Sequence, residues 1–504
     1  MAVKRYYATK DNSITNAYKQ NFKTRATMSN MGLADVLEVF SIYGQTTTSS
    51  VEAMRTIIQF DVASISTDRS AGTIPASGSV GFYLRMYNTP HAYSLPRNYD
   101  MQIIPLSQSW VEGTGLDLEE FSDSGSSNWS YADSTTVWAT AGGHTHSSPI
   151  FTQSFGELGT EDLLVDISYL VEAWLSGTNF ATKENYGVLV KMSGALDTSP
   201  TRSYYTKKFF SRSSEFFFKR PVIEARYDSA TLDERGSFYY SSSLQTANEN
   251  LNTIYLYNYH RGTLRNIPSI GTNKIYVSLY SGSNTSAVYP TGTAITLVAD
   301  DTYVKSAMPQ VVTGGYVSTG IYSASFAITA ASTPLSGIFD VWFSGGHAGA
   351  TPDGAAGGEQ LWTGSIEPVV LNLSTVSNNL SYVSTITNLK PTYYRGQTER
   401  FRVFTRLKDW QPNIYTKAIA DPSAYIVESG SYRIYRVVDE LEIIEYGTGS
   451  LNHTRMSYDV SGNYFDLDTT LLEAGYAYGI KLSYYNGAPD SYEEQPEVFK
   501  FRVE

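Results

Sequence analysis

Apolar and polar residues alternate along most of this chain with a period of two. Between Ser79 and Asn88, Val80, Phe82, Leu84 and Met86 point one way, while Gly81, Tyr83, Arg85 and Tyr87 point the other. Arg55–Ile65 (RTIIQFDVASI) alternates through Ile58, Phe60 and Val62, and Tyr186–Met192 through Val188 and Val190. Alternation of this kind predicts half-buried antiparallel strands. One segment breaks the period: Ile167, Leu170, Val171, Trp174 and Leu175 follow helical spacing. It predicts a single amphipathic helix, with Asp166 or Ser168 at its start and Gly177 just past its end.

Polar, turn-rich stretches divide the strand-rich blocks. Asp228–Gly236 and Ser374–Leu389 read as joints, which gives three domains at 1–228, 229–378 and 379–504. The second block has expected strands at Phe238–Ser243, Thr253–Tyr259, Lys274–Tyr280, Ala294–Val298, Tyr316–Ile328 and Ile338–Phe343. A Gly/Ala-rich tip follows at Ser344–Glu359. In the third block, Leu472–Tyr478 (LEAGYAY) has the spacing of the tyrosine corner of Ig-type sandwiches. The expected fold is all-β: a jelly-roll-like N-terminal sandwich with one short helix, then two Ig-like β-sandwiches.

Composition narrows the function classes. At 504 residues the chain exceeds one hydrophobic core. Charged residues make up 17% and aromatic ones 14%, with 40 tyrosines, which is globular rather than disordered. The net charge of −12 opposes binding to a phosphate backbone, so no nucleic-acid partner is expected. There is no cysteine, hence no disulfide framework or thiolate metal site. Met1–Lys10 has no apolar core of a signal peptide, and no run nears the roughly 18 apolar residues of a membrane span. Synthesis in the cytoplasm, followed by assembly or lysis-dependent release, is the expected history.

The most unusual stretch is Ile103–Gly143, a polar excursion carrying Trp110, Trp129 and Trp138. Loops this long are functional or specially packed. Their irregular spacing, with glycines between, marks the three indoles, together with Trp174, as structural anchors. The carboxylates Glu112, Asp117, Glu119, Glu120 and Asp123 raise an acid/base pair or a Ca²⁺ site as alternatives to a solvated loop. Their spacing matches no EF-hand, and the solvated loop is favoured. His144 and His146 share a strand face without a third ligand nearby, which favours a surface turn over a metal site. No nucleotide-binding or hydrolase motif occurs. No cofactor, metal or catalytic residue is expected.

Lys207, Lys208, Arg212, Lys219 and Arg220 surround Phe209, Phe210 and Phe216–Phe218. Basic residues among aromatics can stack a single nucleic-acid strand, but the acidic total favours a subunit contact. Phe209, Phe210, Arg212, Phe216, Phe217 and Phe218 are therefore the candidate interface.

The motifs Asp11–Ile14, RTIIQFDVASI, Val80–Asn88, SQSWVEGTG (Ser107–Gly115), SSNWSYAD (Ser126–Asp133) and VDISYLVEAWLSG (Val165–Gly177) resemble the DNRLRE-like family. These β-rich modules occur in bacterial surface proteins and in tailed-phage virions. The stretches Tyr205–Tyr227 and Phe238–Leu264 look like structural proteins of large marine tailed phages. The resemblance covers about the first half of the chain, to Leu264, and carries no catalytic residues. It implies a non-enzymatic virion structural protein (capsid decoration, neck or collar, or fibre). Its partners would be other virion proteins and copies of itself. The alternative is a carbohydrate-binding adhesin meeting a host surface glycan; a glycan depolymerase ranks third.

Overall fold

The first strand belongs to two sheets, and this divides the first domain into the layers of a sandwich. In the computed structural model β1 (Val3–Thr15) pairs through Val3–Tyr7 with one neighbour. A bulge between Ala8 and Lys10 then turns it so that its remainder pairs with another. The structure describes residues 2–43, 51–92, 97–116, 122–156, 159–177, 184–198, 203–242, 245–246, 248–281, 294–297, 304–305, 308–328, 335, 337–345, 358–369, 381–408, 424–447, 451–485 and 491–504.

The other first-domain elements are β2 (Val36–Tyr43), β3 (Val51–Phe60), α1 (Val62–Ser70), β4 (Gly81–Met86), β5 (Tyr99–Pro105) and β6 (Phe151–Phe155). They continue with β7 (Leu163–Asp166), α2 (Ser168–Ser176), β8 (Val188–Met192), β9 (Tyr204–Phe210) and β10 (Val222–Arg226). The strand order is β6-β5-β8-β3-β1-β10-β4-β7, with β2 joining β3 to β9. Phe60 and Ile58 of β3, Phe82 and Leu84 of β4, Val188 and Val190 of β8, and Ile223 and Ala225 of β10 meet in one core.

The amphipathic helix is α2; it ends at Gly177, whose φ of 68° is the left-handed cap. A second helix, α1, replaces the end of the strand expected over Arg55–Ile65. Asp61 ends the strand by accepting the Ala63 N–H, and only Ile65 of the helix is buried. With one buried residue, α1 leaves no helical period in the sequence. It is held beside α2 by Arg69, which grips the Glu172 carboxylate at 2.6 and 2.9 Å.

The second sandwich orders its strands Asn252–Tyr257, Ile321–Phe326, Met308–Ser318, Ile275–Tyr280, Ile338–Phe343 and Gln360–Ile366. Phe238, Ile254, Val277, Tyr322, Phe326 and Trp342 lie in its core. Tyr316–Ile328, expected as one strand, is a hairpin that turns at Thr319–Gly320. Gly320 has φ +73°, and a side chain there would run into the main chain of Arg265. Among the described residues of the expected strand Phe238–Ser243, Tyr239 forms an isolated bridge to Val369 rather than part of a strand, and Ala294 forms a bridge to Tyr280. Most of the Gly/Ala-rich tip (346–357) lies outside the described residues.

In the third sandwich one sheet runs Tyr382–Ile386, Thr398–Leu407, Gly462–Asp468, Ser457–Asp459. The other runs Thr392–Tyr393, Phe499–Val503, Ala477–Tyr485, Gly430–Arg436, Glu442–Ile444, its first pair parallel. This is the Ig-type arrangement of two facing antiparallel sheets. Tyr478, fully buried at the start of Ala477–Tyr485, accepts the Glu473 N–H and donates to the Glu473 carbonyl, both at 2.8 Å. That is the tyrosine corner.

The stretch Asp228–Gly236 is structured, because the third sandwich takes up its main chain. Tyr458 N–H donates to Thr231 O at 3.1 Å, and Asp233 N–H donates to Tyr458 O at 3.0 Å. On its other side Arg235 clamps Asp340 of the second sandwich at 2.6 and 2.8 Å.

Candidate interaction surface

The outward face of β4 and β10 does not meet water. Arg85, Tyr87, Glu224 and Arg226 are all buried, so the alternation that predicted a half-buried strand here has both faces covered. The cover is the third sandwich. The Glu224 carboxylate accepts from Arg5 Nε at 2.8 Å and from Arg226 Nη2 at 2.6 Å, and Arg85 Nη1 lies at 3.5 Å. The same guanidiniums reach across: Arg5 to Ile443 O at 2.8 Å, Arg85 to Glu442 O at 2.9 Å, and Arg226 to the Glu445 carboxylate at 3.6 Å. Burial acts to raise the Glu224 pKa, but the guanidiniums outweigh it and hold the group far below the usual carboxylate range. His453 is pushed down to about 4 by burial, then by Arg226, so it stays neutral in the seam.

This seam fixes the walls of a cleft of about 460 Å³ between the first and third sandwiches, lined by Lys4, Tyr7, Phe217, Arg395 and Asp468 among others. Phe217 of the predicted aromatic run lines it. After β9 the chain closes a short loop, with Arg220 Nε and Nη2 donating to Ser214 O at 2.9 and 2.7 Å. Phe216 and Phe217 are 48% and 40% exposed. Phe210 packs edge-on against Phe216 at 5.6 Å, and Tyr7 tilts against Phe217 at 4.5 Å. Cations sit on the rings: Lys219 on Phe210 at 5.1 Å, Arg220 on Phe217 at 5.3 Å, and Arg395 on Phe218 at 5.1 Å.

Two residues leave the expected interface. Phe209 is fully buried in the first core, because alternation along β9 turns it inward while Phe210 turns out. Arg212 is committed to the tryptophan excursion: its guanidinium pairs with Glu112 at 2.7 and 3.1 Å, and its N–H donates to Asp11 at 2.5 Å. Lys207 also leaves the basic island, being fully buried. Burial pushes the Asp11 carboxyl up to about 7, against the pull of the Arg212 N–H.

The excursion lies on the outer face of β3 and β8. Trp110 and Trp138 pack with Ile57, Leu106, Ala132 and Leu189, and Trp129 packs with Ile14 and Ala53. Trp110 Nε1 donates to Tyr186 O at 2.9 Å and Trp138 Nε1 to Asn128 O at 2.8 Å. Arg55 lies over the Trp129 ring at 4.7 Å, against Gly142 at φ +82°. Trp174 of α2 sits in the main core. Asp123 accepts from Asn30 and Thr114, at 2.9 Å each, and so fastens the loop internally. Asp117, Glu119 and Glu120 lie outside the described residues. Among the described residues, no three His, Asp or Glu side chains gather as metal ligands. His144 meets Thr140 at 3.3 Å.

No family model matches the chain, and no curated protein matches it. Solved structures that align with it include the amphioxus IgVJ-C2 molecule, at 8% identity over 50% of this chain and 96% of that one, TM-score 0.12. A chimeric titin Z1Z2-Z1Z2 tandem aligns at 10% identity over 46% and 92%, TM-score 0.14. A DUF4785 family protein from Legionella pneumophila aligns at 9% identity over 98% and 93%, TM-score 0.13. Likeness at this level carries no argument about function.

Proposed function

We propose that this protein is a non-enzymatic structural component of a tailed-phage virion, working through protein–protein contact. The observation that carries the reading is the exposed pair Phe216 and Phe217, with Lys219 and Arg220 over their rings and Phe217 lining a cleft whose two walls are locked together. Exposed aromatics beside cations suit an interface core better than open solvent. The virion setting is supported by the DNRLRE-like motifs of the first half. The three tryptophans of the excursion are buried, which leaves the adhesive reading without a ring platform there.

The partner surface is another virion protein or a second copy of the chain. Purified particles should contain the protein at fixed stoichiometry, and the double variant F216S/F217S should fold but fail to incorporate. A chain absent from particles, or a double variant that incorporates as the parent does, overturns the proposal.

A further inference from the structure

Lys207 projects from β9 into the first sandwich and is completely buried. Its Nζ lies 2.7 Å from Asn88 Oδ1, 2.6 Å from Gly159 O and 2.7 Å from Glu161 O. The rings of Phe155 and Phe209 flank it at 5.0 and 5.4 Å. All three oxygens are neutral. A buried ammonium without a carboxylate in contact is costly, which shifts the balance toward the neutral amine. Burial pushes the Lys207 pKa down to about 8, while the more distant Glu161 and Asp162 carboxylates pull it part of the way back. A desolvated, deprotonated lysine is a nucleophile.

The electrophile is fixed beside it. Asn88 bridges Phe209 directly after β4, and Thr89 N–H donates to Lys208 O at 3.0 Å. The Asn88 N–H is itself held by Asp162 Oδ1 at 2.8 Å. An amine kept against one carboxamide by a backbone bridge between the two segments reacts as if at very high local concentration.

We propose that Lys207 and Asn88 join in an intramolecular isopeptide bond between Nζ and Cγ. The Nζ lone pair attacks Cγ and the carbonyl electrons move onto Oδ1. Collapse of that intermediate expels Nδ2, which takes a proton from Nζ and departs as ammonia. The new C–N bond replaces the old one, and nothing is oxidised or reduced. The bond links positions 119 apart in sequence, tying the segment after β4 to β9.

Denaturing mass spectrometry of the purified full chain tests this. The expected mass is about 17 Da below that of the sequence, the loss of one ammonia, with a branched peptide joining Asn88 to Lys207 in a digest. Lys207→Arg and Asn88→Ala should each restore the loss-free mass for their sequence. Lys208→Arg, on the opposite face of the strand, should keep the branched peptide. Full sequence mass in the parent chain overturns the proposal, whatever the variants do. So does an ammonia loss found on an Asn88 peptide not linked to Lys207, which would mean that Asn88 had cyclised on its own main chain.

Discussion

Arg5 Nη2 donates to the carbonyl of Ile443 at 2.8 Å, joining residues 438 positions apart. Its Nε meanwhile binds Glu224 at 2.8 Å, so one guanidinium serves both sandwiches. Removing one charge from a buried set leaves the others uncompensated and costs roughly 3–5 kcal/mol. Glu224→Gln should therefore lower the melting temperature of the full chain by several degrees. It should also expose the seam to protease. Unchanged melting with unchanged proteolysis would show that the third sandwich is held by other contacts.

The two seams should answer pH in opposite directions. Asp233 and Glu234, between the second and third sandwiches, are raised by burial from 3.8 to about 6 and from 4.5 to about 7. The folded state binds their protons more tightly than the unfolded chain does. Their contribution is complete below about pH 4 and is lost as pH rises through about 6 to 7. Glu224 is lowered, so its contribution stands above its ordinary 4.5 and is lost on acidification. Melting followed from about pH 4 to 8 should show a falling limb that D233N/E234Q flattens. An unchanged limb in that variant would assign the slope elsewhere, with Asp11, raised to about 7, the first alternative.

Alternation exposed most strands, α2 and the tyrosine corner, since each leaves its own period or spacing in the sequence. It does not say what covers the polar face. Arg85 on β4 reads as solvent-facing, yet it meets the third sandwich, contributed by residues more than three hundred positions away. Phe209 was misplaced for a related reason: a run of aromatics read as a patch hides the period of two, which sends alternate rings inward. The surroundings of the buried Lys207 leave no trace in the sequence, because its three oxygens come from two distant segments, one after β4 and one between β6 and β7, that only the fold brings together.

Trp110 should prove an anchor rather than a binding ring. Trp110→Ala removes a buried indole and leaves the Tyr186 carbonyl without its donor, at a cost of about 3–5 kcal/mol. The measurement is thermal melting of the full chain beside a glycan-binding screen of the parent. A variant that melts normally, or a parent whose glycan binding depends on Trp110, would contradict the anchoring role.

The corner in the third sandwich offers a smaller, cleaner probe. Tyr478→Phe keeps the ring and deletes two hydrogen bonds to Glu473, a loss of about 1–3 kcal/mol. Chemical denaturation should show a lower midpoint with an unchanged slope. An unchanged midpoint would mean that the Glu473 backbone finds other partners.

Val3 lies in the core of the third sandwich although its strand opens the first. A ribosome delivers that residue hundreds of codons before the sandwich that buries it. Until Gly430–Ile444 emerges, the nascent chain carries Arg5, Arg85, Glu224 and Arg226 on an uncovered surface. The first sandwich is thus completed only late in synthesis, and a truncated translation product would advertise its incompleteness through that charged face.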